Sequence, residues 1–95
     1  MNSFIIHCKT LKEAEEFMDC LGKRGVRWRY TSRILSSTNS AWKAYESTCY
    51  HLIDDYLYGW GPKWFFQDTF KEEKIYSFEE FMKIIDNFYP ENKIF

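Results

Sequence analysis

The sequence predicts an α+β protein: one small antiparallel sheet of about four to five strands, with two amphipathic helices packed on one face. Three observations lead there. Phe4 to Trp28 reads as strand, helix, strand. Thr48 to Tyr58 reads as a hairpin closed at Asp54-Asp55. Lys74 to Phe88 reads again as a short strand running into a capped helix, so two helices bracket a meander of strands. A chain of 95 residues is one domain, 1–95, with no room for a second core.

Taken in order, Phe4-Ile5-Ile6-His7-Cys8 is a short apolar run with β-branched residues, which suits a pleated, half-buried surface. Thr10-Leu11-Lys12-Glu13 has capping-box spacing, with the Thr10 hydroxyl serving the Glu13 amide and the Glu13 carboxylate serving the Thr10 amide. Leu11, Ala14, Phe17, Met18 and Leu21 then recur at three- and four-residue steps and share one helix face. Gly25 suits the left-handed position that ends the helix. Val26, Trp28 and Tyr30 alternate with Arg27 and Arg29, which is strand periodicity.

The Ser-, Thr- and Asn-rich stretch from Thr31 to Ser40 reads as a loop. Ala41 to Tyr45 is either one helical turn or a loop pinned by Trp42. In the strand Thr48 to Ile53, Thr48, Tyr50 and Leu52 face one way and Cys49, His51 and Ile53 the other. Gly59-Trp60-Gly61-Pro62 punctuates the chain, and Pro62 suits the first position of a short helix reaching Gln67. Lys74 to Tyr76 is a short edge strand. A second capping box, Ser77-Phe78-Glu79-Glu80, opens a helix whose apolar face is Phe78, Phe81, Met82, Ile85 and Phe88. Tyr76 and Phe81 hold the positions of a hydrophobic staple, Pro90 stops the helix, and Glu91 to Phe95 is a tail.

Composition bounds the function classes. Aromatic residues make up 21% of the chain, more rings than a small core hides, so some are expected on a contact surface. Net charge is −1, which favours no partner class in bulk. Its distribution is polarised: residues 1–47 carry 8 basic and 5 acidic side chains, residues 48–95 carry 5 and 9. Three cysteines without paired spacing argue for a reducing compartment. No leader or membrane-spanning run is recognisable, so a cytoplasmic protein with no membrane association is expected.

Three clusters were weighed for chemistry. His7, His51, Cys8, Cys20 and Cys49 are the available nucleophiles and bases beyond the carboxylates, and a thiol enzyme needs Cys and His together in space. Ordinary strand positions, with the thiols acting as small hydrophobes, are the better account of them. No ligand spacing or phosphate loop is present, so the expectation is no enzyme, no catalytic residue, no metal and no cofactor. Lys23, Arg24, Arg27, Arg29 and Arg33 fall in a run without carboxylates, with Trp28 and Tyr30 interleaved, which could grip phosphates and stack bases. A solvated outer strand face, with both rings turned into the core, accounts for the same pattern. Asp54, Asp55, Tyr58, Trp60, Trp64, Glu72 and Glu73 combine carboxylates with rings, as protein-binding surfaces do. Asp68, Glu79, Glu80 and Tyr56 extend that set.

The layout Ile5-x-x-Cys8-x-Thr10-x-x-Glu13-Ala14-x-x-Phe17, with Leu21, Gly25 and Trp28, carries a resemblance, continued by Thr48-Cys49-Tyr50, Leu57-Tyr58-Gly59 and the Ile75-to-Phe81 step. It resembles the small α+β proteins of phages and prophages of Gram-positive bacteria. The Ser-rich loop after Tyr30 and the Trp60-to-Phe66 ring cluster depart from that pattern. The resemblance implies a phage accessory protein in the host cytoplasm, binding a host defence protein such as a CRISPR effector as anti-CRISPR proteins do. The expectation is therefore a non-enzymatic inhibitor acting through the acidic and aromatic set, with nucleic-acid binding by Lys23, Arg24, Arg27, Arg29 and Arg33 as the alternative. A short edge strand and surplus rings would also permit a homodimer.

Overall fold

The computed structural model describes residues 2–91. Of the expected tail, residues 92–95 lie outside the described residues. The chain runs β1 (Ser3–His7), α1 (Leu11–Lys23), β2 (Arg27–Trp28), β3 (Thr48–Ile53), β4 (Tyr56–Pro62), α2 (Lys63–Thr69), β5 (Ile75–Ser77) and α3 (Phe78–Phe88). The five strands form one sheet in the order β2-β4-β3-β1-β5.

The sheet is mixed, where a purely antiparallel one was expected. β1 pairs antiparallel with β3, and β3 with β4, but β5 runs parallel to β1 and β2 parallel to β4. Parallel neighbours need a long crossover, and both edge strands are separated from their partners by helices or by the long loop after Trp28.

Strand alternation divides the buried residues into two clusters. Phe4 and Ile6 join Ala14, Phe17, Met18 and Leu21 of α1, Phe81 and Ile85 of α3, and Tyr50, Leu52 and Leu57. Ile5, between them, belongs with Cys49 and with Phe66 of α2. The short helix α2 thus takes part in a separate, smaller cluster. Rings dominate the larger one: Phe4 meets Tyr76, Phe81 and Phe88 edge-on at 5.6, 5.3 and 5.0 Å, and Phe17 stacks on Tyr50 at 5.4 Å.

Both helix starts follow from their caps. Thr10 Oγ1 accepts from the Glu13 amide at 3.1 Å, although the Glu13 carboxylate accepts from the Lys9 amide rather than from Thr10. Ser77 and Glu80 close the full reciprocal box. Gly25 follows α1 at φ +81°, the left-handed conformation its position called for.

Two sequence signals meant something else. Gly59-Trp60-Gly61-Pro62 does not interrupt the chain, because β4 continues to Pro62. A Cβ at Gly61 would meet the Phe66 ring at 3.3 Å, so that glycine admits α2 against the sheet instead of making a turn. The register slips between His51 and Leu52, leaving Tyr58 unopposed in a bulge. The strand read from Val26 to Tyr30 shrinks to Arg27–Trp28, and Tyr30 is 83% exposed instead of turned inward.

Candidate functional site

An open groove of about 960 Å³ lies beside the β2 edge. Trp28, Trp42 and Trp60 line it with Tyr30, Tyr45 and Leu11. Trp60 comes from β4, directly opposite buried Tyr50. Trp28 comes from β2 and packs partly against the larger core cluster, as does Trp42. The indole Nε1 of Trp42 donates to the Cys8 carbonyl at 2.9 Å, so the segment around it is pinned by that ring.

The rest of the wall is the chain from Thr31 to Tyr45, which has little regular structure of its own. It is held by its ends and by specific bonds. The Leu35 amide donates to the Val26 carbonyl at 3.1 Å, and the Ser37 amide to the Asp19 carboxylate on α1 at 2.7 Å. Asn39 accepts from the Ser36 amide at 3.0 Å and donates to the Ile34 carbonyl at 3.1 Å. The Tyr50 hydroxyl donates to the Ser40 carbonyl. Leu35 is buried against α1, where Gly22 leaves space for its carbonyl. Three residues of this segment, Ser32, Ala41 and Tyr45, hold left-handed backbone at φ 58°, 49° and 52°. That conformation is costly for non-glycine residues and persists where surrounding contacts enforce it.

Charge in the groove has one sign. Arg33 and Lys43 are the charged lining residues, and Thr31, Thr38, Asn39 and Ser40 are the polar ones. Neither cation forms an ion pair among the described residues.

The basic run divides by role. Arg24 is structural: its side chain is 6% exposed and donates to the Tyr89 and Cys20 carbonyls at 2.6 and 2.9 Å and to Asp86 at 2.8 Å. Arg27 donates to the Ser32 carbonyl at 2.9 Å. Arg29 lies over the rings of Tyr30, Tyr56 and Tyr58 at 5.7, 5.9 and 5.6 Å. Lys23 is exposed at the end of α1, and only Arg33 reaches the groove.

The acidic and aromatic set is likewise dispersed. Asp54 and Asp55 form the β3–β4 turn, roughly 15 Å along β4 from Trp60 at the usual strand rise. Asp54 accepts from the Asn2 amide at 3.0 Å, and Glu73 accepts from the Ser3 hydroxyl at 3.3 Å, so these carboxylates gather near the start of β1. Glu72 is exposed beside Glu73. Trp64 is 62% exposed on α2, against Phe65. Tyr58 sits under Arg29. Trp60 alone of the set lines the groove.

The thiols and imidazoles assemble no nucleophile. Cys8 and Cys49 are buried, and burial pushes the Cys49 thiol up to about 12 and the Cys8 thiol further, so both stay protonated at neutral pH. His7 Nε2 donates to the Glu46 carbonyl at 2.6 Å. His51 packs against Phe66 and Phe70, at 6.0 and 4.8 Å between rings, and burial lowers its pKa. No cluster of three metal-ligating side chains occurs among the described residues.

Sequence reasoning missed the contributions of Trp42, Lys43 and Tyr45. Their signal was present in the carboxylate-free run, which extends beyond Arg33 to Tyr45. Compared with family models, curated proteins and solved structures, the chain matches none.

Proposed function

We propose that the protein works by binding another macromolecule, without catalysis, and that the tryptophan groove is its contact surface. The observation that carries this reading is the convergence of three of the chain's four tryptophans on one open groove, while the Cys8 and Cys49 thiols lie buried and protonated. Indoles lining an open groove are the kind of side chain that dominates binding energy when a partner covers them. Trp42 is held on an irregular segment with left-handed backbone at Ser32, Ala41 and Tyr45, which costs stability that a purely structural loop has no reason to bear.

The target we infer is a host defence nuclease complex such as a CRISPR effector, reached in the cytoplasm of an infected cell. Phage resemblance in the sequence supplies that target. Asp54, Asp55, Glu72 and Glu73, at the far end of the sheet, would face basic protein surface, since a guanidinium fork takes carboxylate as readily as phosphate. Affinity purification from the natural host tests the reading. A defence nuclease should co-purify with the tagged protein and be lost on Trp60→Ala. Recovery of no defence protein would remove the target, and undiminished recovery with Trp60→Ala would remove the groove.

A further inference from the structure

We propose that the groove holds a single-stranded nucleic acid, with bases against the Trp28, Trp42 and Trp60 rings and phosphates at Arg33 and Lys43. The inference rests on the groove being the binding surface, and it assigns the chemistry of the occupant.

Charge is the first argument. From Cys20 to Tyr45 the chain carries six cations and no carboxylate. The other seven of its 13 cations share the rest of the chain with all 14 carboxylates. Apart from Leu11 and Trp60, every groove residue comes from that stretch. Folding therefore concentrates the positive segment around one concavity in a molecule of net charge −1. Arg24 is withdrawn by Asp86 and Glu91, and the cations left at the groove itself are Arg33 and Lys43.

Shape and surface chemistry are the second. Trp60 is exposed and Trp28 and Trp42 are half-buried where they line the groove, and stacking of a base on an aromatic ring tolerates sequence. Thr31 and Ser40 place hydroxyl groups beside those rings, suited to base edges, while the Asn39 amide is taken up by Ser36 and Ile34 in holding the wall. A duplex keeps its bases stacked on one another and could not present them to a recessed ring, so the geometry selects a single strand. An acidic protein segment would satisfy the two cations but would leave the ring faces to whatever apolar side chains it carried.

Intrinsic tryptophan fluorescence reads the test. Oligothymidylate of about 20 nucleotides, added at about 50 mM salt, should quench the protein saturably. With two phosphates engaged, log Kobs should fall against log salt with a slope of about −1.4, close to sevenfold between about 50 and 200 mM. Trp60→Ala should weaken binding at least fivefold, the lower end for one stacked base. R33E with K43E should abolish it, while Lys83→Glu, on the outer side of α3, should not change it. Near-ultraviolet circular dichroism establishes that each variant is folded. No quenching at low salt would overturn the proposal. So would equal affinity for a duplex of the same length, which denies stacking. Equal affinity for polyglutamate of about 20 residues would assign the groove to acidic protein instead. Loss of oligonucleotide binding with continued capture of a host complex would sink this inference alone and leave the binding-protein reading in place.

Discussion

Arg24 lies in the middle of the basic run, yet its guanidinium joins α1 to the end of α3. It bonds two main-chain carbonyls, at Cys20 and Tyr89, and its ion-pair partner Asp86 is 77% exposed. The two sides of that pair should therefore weigh differently. Arg24→Ala strands both carbonyls and should cost about 2–3 kcal/mol in urea unfolding. Asp86→Ala leaves the arginine its other acceptors, loses a solvent-screened contact, and should cost less than about 1 kcal/mol. Equal losses would show that the charge pair, not the carbonyls, carries the contact. The buried thiols make a second prediction. A thiol reagent should leave Cys8 and Cys49 unmodified in the folded protein and modify all three cysteines once it is unfolded. His51 makes a third. Burial against Phe66 and Phe70 lowers its pKa, so the unfolded chain binds its proton more readily than the fold does. Its contribution is complete above the ordinary histidine range and is lost as pH falls below it. Between about pH 7 and pH 5 the melting temperature should fall more in the wild type than in His51→Gln. Identical falls would assign the acid sensitivity elsewhere.

Among the elements, α1, β3 and α3 were legible in the sequence because their signals are local. A cap, a periodic apolar face and a stop residue lie within about four helical turns of one another, and the strand Thr48–Ile53 is a compact run rich in apolar and β-branched residues ahead of a turn signal. β4 was half legible. Gly61 resembles a turn residue until the space it leaves for Phe66 is known, and that space belongs to tertiary packing. The groove wall was not legible, because what holds it is non-local: Trp42 to Cys8, Ser37 to Asp19, Leu35 to Gly22. Of the site, Trp60 was singled out for partner binding and Arg33 for nucleic acid, but nothing in their spacing said that they meet. Gly22 gives this element-level packing a sharp test. An alanine within a helix normally stabilises relative to glycine by roughly 0.5–1 kcal/mol. Here the added Cβ would lie 1.9 Å from the Leu35 carbonyl oxygen, so helix and wall must separate. Gly22→Ala should destabilise by about 1–3 kcal/mol, as overpacking does, and should also disturb the groove. A gain in stability would mean that the wall does not rest on α1.

Carboxylates gather at the Asp54–Asp55 turn and near Glu73, and the ring-lined groove with Arg33 and Lys43 lies toward the other end of β4. Both sheet edges are short, two residues in β2 and three in β5, and so offer few unpaired backbone groups for strand addition. If the protein is a binding module as proposed, the exposed rings make the contact, and their location is the decisive question. Hydroxyl-radical footprinting of the protein, alone and bound to the host complex proposed as its partner, answers it. Protection should fall on Trp60, Tyr45 and Trp28, with Trp64 and Phe65 unchanged. Protection confined to Trp64, Phe65 and the Glu72–Glu73 loop, with the groove still open to solvent, would contradict the groove as the binding surface.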